Sequence, residues 1–282
     1  MTGFCDLHTH STFSDGTFTP TELVAAAEKL GLSAVALTDH NTIAGLSEFL
    51  EAGKESTVET VPGVEFSTEY RGIELHILAL WLDSAHFAEV TALLEDFRIR
   101  KEKSNEDLVA ALAKDGMVID YEAVKAATGG YINRAHIAAE LTRLGYAESI
   151  KAAFKGLLSP GAGYYTPPQR LDAYDAIRFI KSVGAVAVLA HPFLNLDEAG
   201  LRAFLPEAIS AGLDGMEVQY SAYDEQTTAR SAVITEDFGI LQSGGSDYHG
   251  MNKPHISIGV GQGNLCIPLS LAEMLKKRAV KP

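Results

Sequence analysis

The chain has 282 residues, of which 46% are apolar and 21% are charged, and its formal charge at neutral pH is −14. This composition is ordinary for a globular protein with a large core, and it excludes a disordered, collagen-like or coiled-coil chain. A surface this acidic repels phosphate polyanions at long range, so we expect no nonspecific binding to duplex DNA.

The cysteines and the first residues of the chain exclude further classes of protein. The two cysteines, Cys5 and Cys266, form no CxxC pair, so neither a disulfide framework nor a thiolate zinc site is expected. The opening MTGFCDLHTH lacks the basic and apolar regions of a secretory signal. The apolar runs of the chain are far too short to span a bilayer. We therefore expect a cytoplasmic protein without a membrane partner.

The first part of the chain alternates short β-rich runs with helical segments, which is typical of a parallel α/β fold. The first helix is well marked, because Thr19 suits the N-cap, Pro20 the first helical position and Gly31 the residue after its end. A turn is expected at residues 70–72. The elements predicted here are strands at 3–7, 33–38, 58–66 and 73–82 and helices at 20–30 and 42–54.

The middle of the chain changes character. A long, charged helical stretch is predicted over 85–114, and shorter helices follow at 121–127, 134–144 and 149–154. Pro160 and the pair Pro167 and Pro168 then interrupt the pattern. We predict a helical insertion over 99–167, acting as a lid or substrate-binding subdomain, and a main domain made of 1–98 and 168–282.

The α/β alternation resumes after the insertion. The total of six or seven strands, each followed by a helix or a loop, favours a closed or nearly closed barrel over an open sheet. The elements predicted here are helices at 173–183, 201–211, 224–238 and 269–278 and strands at 185–190, 215–218 and 240–243.

Histidines and carboxylates recur where the predicted strands end. His8 and His10 project to the same side of an extended segment, which is a chelating arrangement. A parallel barrel gathers the carboxyl ends of its strands on one rim, although His76, inside the fourth strand, needs a shifted register to reach it. The nine candidate metal ligands are His8, His10, Asp15, His40, Glu65, His76, His191, Asp247 and His249.

This donor set exceeds the needs of one divalent ion, which takes about four to six ligands. Two or three ions that share a bridging carboxylate would use all of it. Mixed imidazole and carboxylate ligands suit manganese, iron(II) or zinc, and the sequence does not choose among the three. Neighbouring ions activate a shared water and clamp phosphoryl oxygens, so the pattern favours hydrolysis of a phosphate ester by a metal-bridged hydroxide.

The motifs DLHTHSTFSDG, ALTDHNT, PGVEFS, ELHIL, LAHP and GGSDYHG resemble, in the same order, those of the PHP (polymerase and histidinol phosphatase) family. The resemblance implies an α/β fold, a distorted (β/α)7 TIM-like barrel with a helical insertion, and a trinuclear metal centre. It implies three ligand sets: His8, His10, Glu65 and Asp247; Asp15, His40 and His249; and Glu65, His76 and His191. Asp39 is expected to orient a ligating histidine or to cap the next helix.

The insertion resembles a branch of the family that acts on nucleotides, which includes 3′,5′-nucleoside bisphosphate phosphatases and 5′→3′ exoribonucleases. The resemblance implies that Arg134 binds a substrate phosphate, for which its planar guanidinium is suited, and that His136 also contacts the substrate. The alternative roles for Arg134 are a surface ion pair and a residue at the N-terminus of a helix. The candidate catalytic residues are Arg134, His191 and His249, and protonation of the leaving group is left open between the two histidines and a metal-bound water.

The leading hypothesis is therefore a phosphomonoesterase acting on small nucleotides, either 3′,5′-bisphosphates or 5′-monophosphates. The first alternative keeps the same centre but acts on histidinol phosphate, a cyclic phosphodiester or the 5′ end of short single-stranded RNA. An amidohydrolase would use similar ligands, although its usual metal-bridging lysine is not evident. A non-catalytic PHP module is the last alternative, and the complete ligand set argues against it.

Overall fold

A computed structural model of the chain describes residues 3–128, 132, 134–168 and 170–279. The chain divides into two compact units, the first made of Met1–Leu94 and Arg170–Pro282 and the second of Glu95–Gln169. We call them the barrel unit and the insertion unit. The boundaries predicted from the sequence lie a few residues away from this division.

The barrel unit contains a nearly closed sheet. Seven strands follow one another in the order β1-β2-β3-β4-β6-β7-β8, and the short strand β5 pairs with β3 outside this path. The predicted α/β barrel is thus confirmed. Strands β2 and β6 are buried along their whole length, as expected of strands covered on both faces. The strands of the described residues are β1 (Cys5–Asp6), β2 (Ala34–Leu37), β3 (Glu59–Tyr70), β4 (Ile73–Leu80), β5 (Leu171–Asp172), β6 (Val186–Ala190), β7 (Gly215–Tyr220) and β8 (Leu241–Gly245).

One strand runs against the others in the barrel. Strand β4 pairs antiparallel with both β3 and β6, whereas the other neighbouring pairs are parallel. The expectation of a wholly parallel sheet is therefore wrong at β4. The cause is the two-residue connection between β3 and β4, in which Arg71 and Gly72 both have positive φ, 51° and 80°. Such a tight hairpin joins antiparallel strands only.

The first and last strands meet along a line that we call the seam. The backbone N–H of Leu7 donates to the carbonyl of Gly244 at 3.2 Å, and the N–H of Asp247 donates to the carbonyl of His8 at 2.9 Å. Gly245 allows this approach, because a Cβ atom on it would lie 2.2 Å from the Cβ of His8. The seam places the ends of β1 and β8 side by side.

Helices pack against the sheet, and the last of them also contributes to the core of the barrel. Helix α1 begins with the predicted cap, since Thr19 accepts a hydrogen bond from Glu22 and Glu22 accepts one from Thr19. Leu271, Ala272 and Leu275 of α10 join the apolar core inside the barrel. The helices are α1 (Pro20–Lys29), α2 (Leu46–Lys54), α3 (Phe87–Lys114), α4 (Tyr121–Ala127), α5 (Arg134–Arg143), α6 (Ile150–Lys155), α7 (Ala173–Ser182), α8 (Glu198–Ala211), α9 (Glu225–Phe238) and α10 (Leu269–Lys276).

The insertion unit is helical and has a core of its own. The fully buried side chains of Leu108, Leu112, Ile137, Leu141 and Leu158 form its centre. Apolar burial on this scale supports a separately packed unit. Across the described part of both units, no helix is long and apolar enough to cross a membrane.

Candidate metal centre

All nine side chains predicted as ligands meet where β1, β2, β6 and β8 end. They form four overlapping groups of three or four residues, and within each group the donor atoms lie within 4.8 Å of one another. We call these nine side chains the candidate metal centre. The four groups are His10, Asp15, His40 and His249; His8, Glu65 and His191; His8, His10 and Asp247; and His40, Glu65 and His76.

His76 reaches the centre because of the direction of β4. It pairs with Ser67 of β3 on one side and with Ala190 of β6 on the other. Since β4 runs opposite to its neighbours, its beginning lies beside the end of β6. The expectation that a shifted register brings His76 to the rim is therefore wrong. The reversed direction of β4 brings it there instead.

Glu65 lies at the middle of the cluster and is fully buried. Its Oε1 atom is 2.8 Å from His76 Nδ1 and 3.1 Å from His191 Nε2, and its Oε2 atom is 2.8 Å from His40 Nδ1. Burial acts to raise the pKa of Glu65, but the charges of His40 and His76 hold it well below its ordinary value of 4.5. An ionised carboxylate with both oxygens facing imidazoles is suited to bridge two cations.

The HxH pair has the chelating geometry expected of its spacing. The Nε2 atoms of His8 and His10 lie 3.1 Å apart, and each is 3.3 Å from Glu65 Oε2. Asp247 Oδ1 is 3.6 Å from His8 Nε2 and 3.2 Å from His10 Nε2. The donor atoms of four residues thus face a common space.

Several of these buried atoms have no hydrogen-bond partner. Among the described residues, buried side-chain atoms without one are His10 Nδ1, His40 Nδ1, Glu65 Oε2, Tyr70 Oη and Ser243 Oγ; the pair His40 Nδ1 and Glu65 Oε2 is 2.8 Å apart but lacks hydrogen-bond geometry. Three of the five belong to the centre, although buried polar atoms normally find partners. Imidazole nitrogens and carboxylate oxygens are also the donors that transition-metal ions prefer. The residues present therefore fit divalent metal ions.

Asp15 gives the centre an open side. Its side chain is 49% exposed, and its Oδ1 atom is 3.2 Å from His249 Nε2. Burial acts to raise the pKa of this carboxyl, but the hydrogen bond from His249 and the charge of His40 lower it below its ordinary value. The group that contains Asp15 is the one most accessible from solvent.

Two residues of the centre have uncommon backbone conformations. His191 has φ of 28° and Asp247 has φ of 56°, in the left-handed region that residues other than glycine rarely adopt. Such strain tends to persist where surrounding contacts impose it and is enriched at functional sites. Two such contacts hold Asp247, because its Oδ2 atom accepts hydrogen bonds from Tyr220 Oη at 2.9 Å and from Lys253 Nζ at 2.6 Å.

Asp39 does not have either of its expected roles. Its carboxylate accepts hydrogen bonds from the Ser11 backbone N–H at 2.7 Å, from Ser11 Oγ at 2.6 Å and from Ser14 Oγ at 2.5 Å. These bonds fix the loop that follows His10. The expectation that Asp39 orients a histidine ring or caps a helix is therefore wrong.

Two buried carboxylates escaped the sequence analysis. Asp6 accepts hydrogen bonds from the backbone N–H groups of Ser246 and Gly259, at 2.8 and 2.7 Å, and so supports the seam. Glu217 of β7 contacts His8 Nδ1 at 3.0 Å and accepts a hydrogen bond from the His191 backbone N–H at 2.6 Å. The available signal was a single acidic residue within a mostly apolar strand, because burial of a carboxylate without partners costs free energy.

Arg134 and His136 lie on α5 of the insertion unit. The Arg134 guanidinium lies 4.3 Å from the ring centre of Tyr165 and 5.6 Å from that of Phe154, as in a cation–π contact. His136 is half-buried, and its position two residues further along a helix directs it to a different side. Their predicted roles in substrate binding stay predictions.

The barrel and its histidine–carboxylate cluster define a class, the metal-dependent phosphoesterases. Residues 6–159 match the PHP domain family, and the chain belongs to this family. The resemblance seen in the sequence motifs is thereby confirmed, and so is the prediction of an enzyme that hydrolyses phosphate esters.

Three curated relatives cover most of the chain. The chain is 36% identical over 250 residues to the 5′-3′ exoribonuclease of Haemophilus influenzae, which covers 88% of this chain and 91% of that protein. It is 32% identical to the phosphoribosyl 1,2-cyclic phosphate 1,2-diphosphodiesterase of Eggerthella lenta, over 90% of this chain and 98% of that one. It is 29% identical to the 3′,5′-nucleoside bisphosphate phosphatase of Chromobacterium violaceum, over 86% of each.

Solved structures show the same fold. A candidate metal-dependent phosphoesterase from Bifidobacterium adolescentis superposes with a TM-score of 0.78 at 30% identity, over 98% of this chain and 96% of that one. An amidohydrolase from Chromobacterium violaceum, solved with bound sulfate and no metal, gives a TM-score of 0.79 at 27% identity, over 99% and 98%. Both likenesses extend over nearly the whole chain.

Proposed function

We propose that the chain hydrolyses phosphate monoesters of small nucleotides, either 3′,5′-nucleoside bisphosphates or 5′-monophosphates. The observation that carries the proposal is the convergence of nine imidazole and carboxylate side chains in four overlapping groups. The names of the three curated relatives add support, because they specify RNA, a phosphoribosyl cyclic phosphate and a nucleoside bisphosphate. Each of these is a phosphate ester of a nucleotide or sugar.

We propose that two or three ions of manganese, iron(II) or zinc occupy the centre, with Glu65 as the bridging ligand. The remaining ligands would be His8, His10, Asp15, His40, His76, His191, Asp247 and His249. When bound, such ions lower the pKa of a water and neutralise the oxygens of a phosphoryl group. The residues themselves orient the donor atoms and, apart from Asp15 and the partly exposed His40 and His76, exclude bulk water.

The hydrogen bonds of His249 favour a role as ligand. Its Nδ1 atom lies 2.8 Å from the carbonyl oxygen of Asp247, and a carbonyl only accepts. Nδ1 therefore carries a proton, and Nε2, the nitrogen that faces Asp15, is the atom left to bind a cation.

Arg134 and His136 complete the proposal as substrate-binding residues of the insertion unit. Arg134 would neutralise a phosphate of the substrate that does not react, because its guanidinium forms paired hydrogen bonds with phosphate oxygens.

A second candidate, 5′→3′ exoribonuclease activity, is favoured by one observation. The Haemophilus influenzae relative with that name is 36% identical over 88% of the chain, against 29% for the bisphosphate phosphatase. A centre that removes a terminal phosphate and one that cleaves the first internucleotide bond need the same donor groups, so the substrate decides between them.

A kinetic screen tests both candidates. The purified protein, loaded in turn with manganese, iron(II) and zinc, is assayed with a 3′,5′-bisphosphate, a 5′-monophosphate, a cyclic phosphate, histidinol phosphate and a 5′-phosphorylated oligoribonucleotide. We expect the highest kcat/KM with the bisphosphate, and stepwise release of mononucleotides would support the second candidate. Activity confined to histidinol phosphate, or turnover of a cyclic amide without phosphoesterase activity, would contradict both.

A further inference from the structure

Glu217 is a buried carboxylate that serves two different residues of the candidate metal centre. It is fully buried in β7, at the only acidic position of that strand. Its Oε1 atom lies 3.0 Å from His8 Nδ1, and its Oε2 atom accepts the backbone N–H of His191 at 2.6 Å. Both oxygens are thus occupied by groups that belong to ligand-bearing segments.

We propose that Glu217 is a positioning residue that prepares His8 and His191 to bind metal, an inference that rests on the metal centre of the proposed function. For His8 the argument concerns the tautomer. Because a carboxylate accepts hydrogen bonds, His8 Nδ1 carries a proton, and Nε2 is the nitrogen left to bind a cation. That Nε2 atom is the one that faces Glu65 and Asp247, at 3.3 and 3.6 Å. Pairing the far nitrogen of a ligating histidine with a carboxylate fixes the ring and raises its basicity.

For His191 the argument concerns the backbone. The residue has φ of 28°, a conformation that costs energy unless its surroundings impose it. The hydrogen bond from its N–H to Glu217 is one such constraint, and it is short and assisted by the charge of the carboxylate. In this conformation His191 Nε2 lies 3.1 Å from Glu65 Oε1. One carboxylate therefore sets the direction of two donor nitrogens, both of which face Glu65.

The variant Glu217→Gln tests the proposal without changing the volume of the side chain. The amide oxygen can still accept from His8, but its NH2 group would then face the N–H of His191, donor against donor. We expect the metal-free variant to unfold cooperatively, with manganese affinity lowered about 10–100-fold and less metal retained per chain. The matched control is Glu236→Gln at an exposed position of α9, which should bind as the unmodified protein does. Unchanged affinity and stoichiometry in Glu217→Gln would overturn the proposal.

A measurement on the unmodified protein covers the case in which the variant does not fold. In the zinc-loaded protein labelled with 15N, the ring nitrogens of His8 report which one carries the proton. We expect Nδ1–H with Nε2 bound to metal, and the opposite tautomer would refute the role assigned to Glu217. Neither measurement depends on turnover, so a failed substrate screen and a failed positioning role are distinguishable.

Discussion

Two histidines of the centre differ in protonation when metal is absent. Burial lowers the pKa of His10 to about 3, with the neighbouring His40 acting in the same direction. For His76 burial acts in the same sense, but the Glu65 carboxylate outweighs it and raises the pKa to about 10. At neutral pH His10 thus offers a lone pair, whereas His76 must lose a proton before it binds a cation.

At this scale we predict that His10→Ala and Asp247→Ala each lower kcat/KM by more than about 100-fold, because removing even a partner of a ligand costs about 10–100-fold. The fold should remain, as measured by circular dichroism. The control is His86→Ala. His86 is a partly exposed histidine of the same unit, and its side chain contacts Glu89 rather than the candidate metal centre. Near-normal rates in both ligand variants would refute the proposed site.

Individual residues also show how far the sequence predicts this site. The nine predicted ligands could be identified from the sequence because most of them recur at the ends of predicted strands and all lie within recognisable motifs. Glu217 and Asp6 were missed because their partners come from distant segments, as in the hydrogen bond between Asp6 and Ser246, 240 residues apart. Asp39 was assigned wrongly because adjacent residues of a strand end face opposite ways, and the sequence does not say which way each faces.

Among the elements, strand β4 shows most clearly what the sequence prediction overlooked. The sequence predicts the turn at residues 70–72, and the shortness of this turn already determines the direction of the next strand. A two-residue hairpin requires an antiparallel partner, and this reversal brings His76 to the centre. Strand β5 has two residues and pairs only with β3, so it leaves no hydrophobic period to detect.

The seam allows a prediction for the contact between β1 and β8. A Cβ atom at position 245 would lie 2.2 Å from His8 Cβ and 2.7 Å from the His8 backbone nitrogen, so one strand must shift. We expect Gly245→Ala to lower the free energy of unfolding by about 3 kcal/mol, at the upper end for overpacking, and to weaken metal binding because His8 moves. Urea denaturation and metal titration measure the two effects.

The comparison variant for this prediction is Gly161→Ala. A Cβ atom there meets no atom within 4 Å. Gly161→Ala should change the free energy of unfolding by no more than about 0.5 kcal/mol, as ordinary surface substitutions do. Equal stability of the two variants would mean that the strands tolerate a wider separation at the seam.

Across the whole molecule, the negative charge is concentrated in one unit. Residues 95–169 contain ten basic and ten acidic residues, so the rest of the chain holds the other 13 basic and 27 acidic residues and the entire charge of −14. Divalent ions in the centre would invert this field locally and make it the favoured place for an anion. The acidic surface elsewhere disfavours extended polyanions, which fits small nucleotides better than long nucleic acids.

Proton linkage gives a prediction for the whole protein. His76 has a folded pKa of about 10 against an ordinary 6.5, so its stabilising contribution is complete below 6.5 and lost as the pH rises toward 10. Glu65 has a lowered pKa, so its contribution is present above 4.5 and lost as the pH falls. For these two groups the metal-free protein is most stable between those ordinary values.

Metal ions compete with the same protons, so stabilisation by metal should follow the opposite trend. Between about pH 6.5 and 8.5 we expect the rise in Tm on adding manganese to grow while the Tm of the metal-free protein falls. Differential scanning calorimetry measures both, and calcium at equal concentration controls for ionic strength. A metal-induced rise that shrinks with increasing pH would contradict the linkage.

The seam also determines when the centre can be completed during synthesis of the chain. His8 and His10 leave the ribosome early, whereas Asp247 and His249 both belong to the loop that follows β8. The nascent chain therefore carries the HxH pair of the candidate metal centre long before the last predicted ligands exist, and contacts across such long separations form slowly. The candidate metal centre is therefore complete only after β8 has docked, and a chain interrupted before that strand lacks part of it.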